Sequence, residues 1–166
     1  MANYKTQGMA YPMTKMNFVV YVDGYSTTMA AFSEVSGIEA SVDVIEFRQG
    51  NAHSLAPVKI PGLVKHGNVT LKMGYTIGNS FKDWIKECVA ETRKSGGHPR
   101  KDVIIELIDI RNGSATSVTT SASGPVQWKL KNAWVAKYSG SDLNASASEV
   151  AIESVEIAYE TLEIPE

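Results

Sequence analysis

Along most of the chain, hydrophobic positions recur every second residue or fall in short β-branched runs, which is the pattern of strands. Residues 17–23 (NFVVYVD) are β-branched and aromatic and stop at the turn dipeptide Asp23-Gly24, predicting a first strand. From Phe32 to Arg48 the apolar positions Val42, Val44, Ile45 and Phe47 stand among acids. A break at Ser36-Gly37 predicts two strands there, or one kinked at the glycine. In Asn68 to Tyr75, Val69, Leu71 and Met73 fall on one face and Thr70 and Lys72 on the other, so one face is buried and one wet. Val103 to Ile110 is apolar on both faces apart from Glu106 and Asp109, the mark of a central strand. Between Val126 and Tyr138, Trp128, Leu130, Trp134, Ala136 and Tyr138 share a parity opposite Lys129, Lys131 and Lys137, predicting a half-buried strand with a lysine face. Glu149 to Ile164 fits either period, and β-branched Val155 and Ile157 alternating with Tyr159 favour a strand.

Period 3.6 surfaces once, from Ser80 to about Lys94, where Phe81, Trp84, Ile85, Cys88 and Val89 form an apolar stripe. Ser80 and Asp83 suit its start, and Arg93, Lys94 and Gly96-Gly97 its end. Residues 49–67 read as a long surface loop, because Gly50, Pro57, Pro61 and Gly62 are too much turn chemistry for a regular element. Asn112 to Pro125, rich in Ser, Thr and Gly, reads as an extended hairpin tip. About seven strands and one helix without βα alternation predict a mainly β, antiparallel two-sheet barrel with one flanking α-helix at about 80–94. No internal repeat or linker divides residues 1–166, so a single domain is expected, with residues 1–16 as a flexible arm.

Composition adds exclusions. At 166 residues, 43% hydrophobic and 20% charged, the chain is long enough to bury a core without disulfides, and it has one cysteine. A net charge of −2 lacks the basic field of nucleic-acid binders, so no specific nucleic-acid recognition is expected. Met1 to Met16 is polar, and the longest early apolar run, Phe18 to Val22, is too short for a leader or a membrane span. A cytoplasmic start and no membrane insertion are expected.

Searches for chemistry return little. His53, His66 and His98 are 13 and 32 residues apart with no C-x-x-C or HExxH, so no metal or other cofactor is expected. Cys88 lies on the helix stripe, where a small core residue is the simpler reading than a nucleophile. Glu153, Glu156, Glu160 and Glu163 read as a solvated face rather than a glycosidase pair. Trp128, Trp134 and Tyr138 fit a sugar-stacking platform or, with Leu130, a core. Charge is segregated: Glu149 to Glu166 holds six glutamates and no Lys or Arg, while Arg48 to Lys101 holds ten of the 16 basic residues. Copies of the chain attracting one another and the two segments neutralising each other within one subunit are equally compatible with this. The residues alone therefore describe a non-catalytic β domain, with a monomeric ligand- or carbohydrate-binding barrel as the alternative.

Motif order goes further. Asn17-Phe18 through Asp23-Gly24, then residues 32–39 (FSEVSGIE) and 45–50 (IEFRQG), are followed by residues 60–63 (IPGL) and 67–72 (GNVTLK). Asp83-Trp84-Ile85, residues 128–134 (WKLKNAW) and residues 148–154 (SEVAIES) complete the series. In this order, from about Met13 to Glu163, they resemble the contractile phage tail tube family, which also supplies the inner tubes of contractile injection systems and tailocins. The chain departs from that pattern at Val135, where proline is expected, and in longer segments at residues 89–101 and 112–125.

The resemblance implies a structural subunit, not an enzyme, that forms six-fold rings stacked into a hollow tube. Edge strands of neighbouring copies would join into one sheet around the lumen. Its partners would be further copies of itself, a sheath protein, baseplate or hub proteins, and a tape-measure protein or cargo in the lumen. It would assemble in a bacterial cytoplasm and end in a virion tail or a contractile particle, where sheath contraction drives the tube through a target envelope. The loop at residues 49–67 would reach the next ring, making Gln49, Asn51, His53, Lys59, Pro61, Gly62 and Lys65 contact candidates. Strands 42–48 and 68–75 would share the inner sheet, with Glu46, Arg48, Thr70 and Lys72 toward the lumen.

Overall fold

In a computed structural model the described residues are 15, 17–23, 32–51, 53–75, 80–90, 99–109, 116–117, 119–120, 124–146 and 148–165. The strands are β1 (Phe18–Val22), β2 (Phe32–Ser36), β3 (Ala40–Phe47), β4 (Val58–His66), β5 (Val69–Gly74) and β6 (Lys101–Asp109). There follow β7 (Thr116–Ser117), β8 (Thr119–Thr120), β9 (Gly124–Pro125), β10 (Gln127–Ser139), β11 (Ile152–Ala158) and β12 (Thr161–Glu163). One helix, α1 (Ser80–Cys88), lies between β5 and β6. The expected arm at residues 1–16 lies outside the described residues apart from Lys15, as does most of the tip at 112–125, of which β7 pairs with β6 and β8 with β9.

The main sheet runs β1-β6-β10-β11-β5-β2, antiparallel throughout. It works as two half-sheets because β10, at 13 residues, serves both. Its first half pairs with β6 and β12, its second with β11. Between the halves, Leu130 pairs with Val103 but Ala133 with Lys101, so β10 spends one residue more than β6. Asn132 absorbs the extra residue at φ 52°, a left-handed conformation that asparagine tolerates better than most side chains. Its backbone N–H donates to Asp102 Oδ1 at 3.0 Å and its amide Nδ2 to Glu160 Oε2 at 2.9 Å.

That bulge corrects the expected parity of β10. Leu130 is buried before it, but Ala133 and Val135 are buried after it, and a second register shift between Val135 and Lys137 leaves Ala136 exposed and returns Tyr138 to the side of Val155 and Glu153. Trp128 and Trp134 therefore do not share a face, and the stacking platform does not form.

Alternation elsewhere is met. Val69, Leu71 and Met73 are buried with Val155, Ile157 and Tyr159 of the neighbouring strand segment. The helix lays Phe81, Trp84, Ile85 and Cys88 on the same core. Phe81 stands edge-on to both Phe32 and Trp84, with ring centroids 5.2 and 5.7 Å apart. Buried Trp84 keeps its N–H satisfied by the Pro99 carbonyl at 2.7 Å. Helix α1 is shorter than expected. It ends at Cys88, and Val89 is 49% exposed, so past that residue the helical pattern has no apolar surface to bury.

Residues 49–67 are the second correction: 58–66 is a strand, not a loop. β4 pairs with β3 from Ala40↔His66 to Phe47↔Val58, leaving only 48–57 as the turn. Pro61 and Gly62 are tolerated because the ladder shifts register between Val42 and Val44, opposite them. A Cβ on Gly62 would lie 3.1 Å from the Asp43 carbonyl oxygen. The break at Ser36-Gly37 is met: Gly37 has φ +83°, and a Cβ there would lie 2.5 Å from the Asn68 carbonyl oxygen. This close approach seats the base of the β3–β4 hairpin against the start of β5.

Candidate assembly surfaces

The β3–β4 hairpin is hydrogen-bonded only to itself among the described strands. It nonetheless carries Val42, Val44, Ile45, Phe47, Val58, Ile60, Leu63 and Val64, each 45% or more exposed. Because strand side chains alternate, Val44 and Ile45 occupy opposite faces, so neither face of the hairpin rests on the core. A lone two-stranded hairpin is marginal in water, and contiguous apolar exposure on this scale marks a surface that another molecule covers.

The structure sorts the inter-ring candidates along this hairpin. Gln49, Asn51 and His53 sit exposed in its turn, where Arg48 Nε donates to the Ser54 carbonyl at 3.2 Å. Lys59, Pro61, Gly62 and Lys65 lie on β4. Lys59 faces Glu46 at 3.7 Å and Lys65 faces Asp43 at 2.7 Å. The lumen candidates separate. Glu46 lies on β3 and Arg48 directly follows it, whereas Thr70 and Lys72 lie on β5, whose neighbours are β11 and β2. β3 and β5 therefore do not share a sheet, and the reason is Gly37, where the chain turns away after β2.

The second surface is the outer face of the half-sheet β10-β11-β5-β2. Register places Glu34 opposite Lys72, Thr70 opposite Glu156, and Glu156 opposite Lys137. The Lys72 ammonium donates to Glu34 Oε2 at 2.8 Å and that of Lys137 to Glu156 Oε1 at 3.2 Å. Sequence reasoning missed Glu34 and Lys137, because cross-strand pairing is not visible in one strand at a time.

Four of the C-terminal glutamates pair within the subunit, two with the basic segment Arg48–Lys101 and two with lysines of β10. Glu153 pairs with Lys82, Glu156 with Lys137, Glu160 with Arg100 and Glu163 with Lys131. Hydrogen bonds from Asn132 and then Arg100 hold the Glu160 carboxyl below its ordinary pKa. Arg100 also lies 4.8 Å over the Trp134 ring.

Burial, partly offset by a backbone hydrogen bond at Val135, pushes the Cys88 thiol up, the opposite of what an activated nucleophile needs. Among the described residues no group of three or more His, Cys, Asp or Glu side chains is placed to hold a metal ion. No helix there is long and apolar enough to cross a membrane. A depression of about 460 Å³ bounded by Tyr21, Asp102, Ile104, Lys129, Lys131 and Glu163 is edged by the Lys131–Glu163 ion pair.

Among the described residues β1 and β2 end the main sheet, and the apolar β3–β4 hairpin pairs with neither. The chain belongs to the T4-like virus tail tube protein gp19 family, whose model matches residues 14–163. It is a structural tube subunit. The fold is similar to that of a chain in the anti-feeding prophage baseplate, at 21% identity and TM-score 0.70 over 93% of this chain and 96% of that one. A chain in the sheath/tube terminator of the extracellular contractile injection system PVC is similar at 22% identity and TM-score 0.71, covering 96% and 100%. One in the PVC sheath-tube complex gives 22% and 0.69, covering 92% and 90%. No curated protein matches the sequence.

Proposed function

We propose that six copies of this chain close into a ring, that rings stack through the β3–β4 hairpin, and that the outer face of β10-β11-β5-β2 lines the lumen. The carrying observation is the hairpin: eight large apolar side chains on both its faces, held off the subunit's own core. Stacking would bury them and so stabilise the tube, at about 25 cal/mol for each Å² removed from water. Gln49, Asn51, His53, Lys59, Pro61, Gly62 and Lys65 then meet the next ring, and Thr70 and Lys72 face the lumen. Glu46 and Arg48 go with the hairpin in this reading rather than with the lumen.

The fold likeness to chains from a sheath-tube complex and a six-fold symmetrised baseplate supports a sheath outside the tube and a baseplate at its end. A tape-measure protein or cargo would occupy the lumen. The tube acts mechanically, carried through an envelope as the sheath shortens, and has no catalytic step. Assembly takes place in a bacterial cytoplasm, and the finished tube works in a phage tail or an extracellular contractile particle.

Negative-stain electron microscopy over a concentration series tests this. Rings that stack into tubes of uniform width are expected, and the double variant Val44→Asp with Leu63→Asp should leave isolated rings or monomers of unchanged monomer stability. Tubes from the double variant would show that the hairpin is not the stacking element. A monomer at every concentration, with baseplate components added, would sink the tube reading as a whole.

A further inference from the structure

We infer that Lys137 of one copy and Glu34 of the next form the ion pair that sets the joint between neighbouring subunits. This rests on the ring reading and specifies what that reading leaves open, namely which side chains select the correct edge. The half-sheet β10-β11-β5-β2 has four strands, each antiparallel to its neighbour. Its first and last strands therefore run in opposite directions. Rotation about a ring axis keeps each strand's sense along that axis, so β2 of a second copy meets β10 antiparallel, the same pairing found within the subunit. Both edges are open for it. Among the described residues β2 pairs only with β5, and β10 has no strand on its far side beyond Ala133↔Lys101.

Charge gives the joint its selectivity. In the order β2, β5, β11, β10 the outer face presents Glu34, Lys72, Glu156 and Lys137, so sign alternates strand by strand. The two edges end in opposite charges, and copies added at either edge continue the alternation. Ladder register puts Glu34 level with Lys72, Ser154 and Ser139, and Lys137 two residues away, level with Glu156 and Thr70. At zero stagger Glu34 of the second copy is the diagonal neighbour of Lys137, and a two-residue stagger sets the pair directly opposite. Both are within reach of such long side chains, and like charges at these positions destabilise a strand pair.

Two half-inverted chains test the joint while keeping each internal ion pair. Glu34→Lys with Lys72→Glu leaves lysine on both edges, and Lys137→Glu with Glu156→Lys leaves glutamate on both. Each alone is expected to stay unassembled where the wild type forms rings, and a 1:1 mixture is expected to form rings of alternating copies, seen by electron microscopy and by energy transfer between differently labelled chains. Rings from either variant alone, or none from a mixture of two chains that fold like the wild type, would overturn the pair. Wild type that never forms rings would instead sink the ring reading beneath it. Should a half-inverted chain not fold, Glu34→Gln is expected to make ring assembly clearly less sensitive to salt, and unchanged salt sensitivity overturns the pair equally.

Discussion

The Lys82 ammonium of α1 lies 3.2 Å from the Glu153 carboxylate of β11, with only 15% and 3% of the two side chains exposed. Glu153 was expected on a solvated face, yet it points into the protein on the same side of β11 as Val155 and Ile157. Its Oε1 accepts the Tyr138 hydroxyl at 2.5 Å. Oε2 meets the ammonium at ion-pair distance without hydrogen-bond alignment, and Lys82 also lies 3.5 Å over the Tyr75 ring. The cluster ties the helix to β10 and β11, one of whose open edges is the proposed joint.

Removing one member of such a pair strands the other charge out of water, a loss of about 3–5 kcal/mol. Lys82→Met is therefore expected to lower monomer stability by about that amount in urea unfolding, and adding Glu153→Gln to restore much of it. A loss of under about 1 kcal/mol from Lys82→Met would mean that Glu153 is solvated after all.

Tyr138 reports on the same carboxylate. The Glu153 hydrogen bond, with burial and the carboxylate charge behind it, pushes the phenol up to about 12 from its ordinary value of 10.0. A pKa raised by folding stabilises fully below the unfolded value and loses that contribution as pH climbs through the folded one. Stability from this group should be intact at pH 9 and decline between about pH 10 and 12. Ultraviolet titration of the wild type against Tyr138→Phe should show the missing tyrosine ionising near pH 12, and Glu153→Gln should return it toward 10. Wild-type and Tyr138→Phe curves that differ only near pH 10 would contradict the contact.

Gly37 is where β2 hands the chain to the hairpin, and both its φ of +83° and the nearby Asn68 carbonyl exclude a side chain. Gly37→Ala is expected to cost about 1–3 kcal/mol of monomer stability from strain and forced displacement of the β5 entry. Gly50→Ala, with nothing within 4 Å of the added Cβ, is the matched control and should be neutral. Equal behaviour of the two would show that the turn relaxes without penalty.

How much of this was legible in the sequence follows from how local each signal is. β5 was readable because its buried face repeats every second residue without interruption, whereas in β11 buried Glu153 breaks the apolar repeat and left the segment compatible with either period. The Ser36-Gly37 break was readable because one residue type carries the required φ. β4 was misread as part of a loop because its apolar residues are on both faces and it contains Pro61 and Gly62. Glu34 and Lys137 were invisible as a pair because their relation passes through two intervening strands, a register that no single segment encodes.

The parity of β10 first breaks at Asn132, and that residue is testable. Asn132 sits at φ 52°, where a β-branched side chain is heavily disfavoured, and its amide holds Glu160 beside Arg100. Asn132→Gly keeps the backbone conformation and loses only the amide contact, so a loss of about 0.5–1.5 kcal/mol is expected. Asn132→Val loses the contact and also pays about 1–2 kcal/mol for the left-handed conformation. If the valine chain removed the bulge instead, Ala133 and Val135 would turn outward and Trp134 inward, because a one-residue slip reverses the side chains up to the second register shift at Val135/Lys137. Urea unfolding ranks the three chains, and tryptophan fluorescence reads the second effect. Valine is expected to be the least stable, with Trp134 emission unchanged, because the buried Ala133 and Val135 hold the register. A blue-shifted Trp134 with retained stability would show that the bulge is a choice of Asn132 alone and not of the sheet around it.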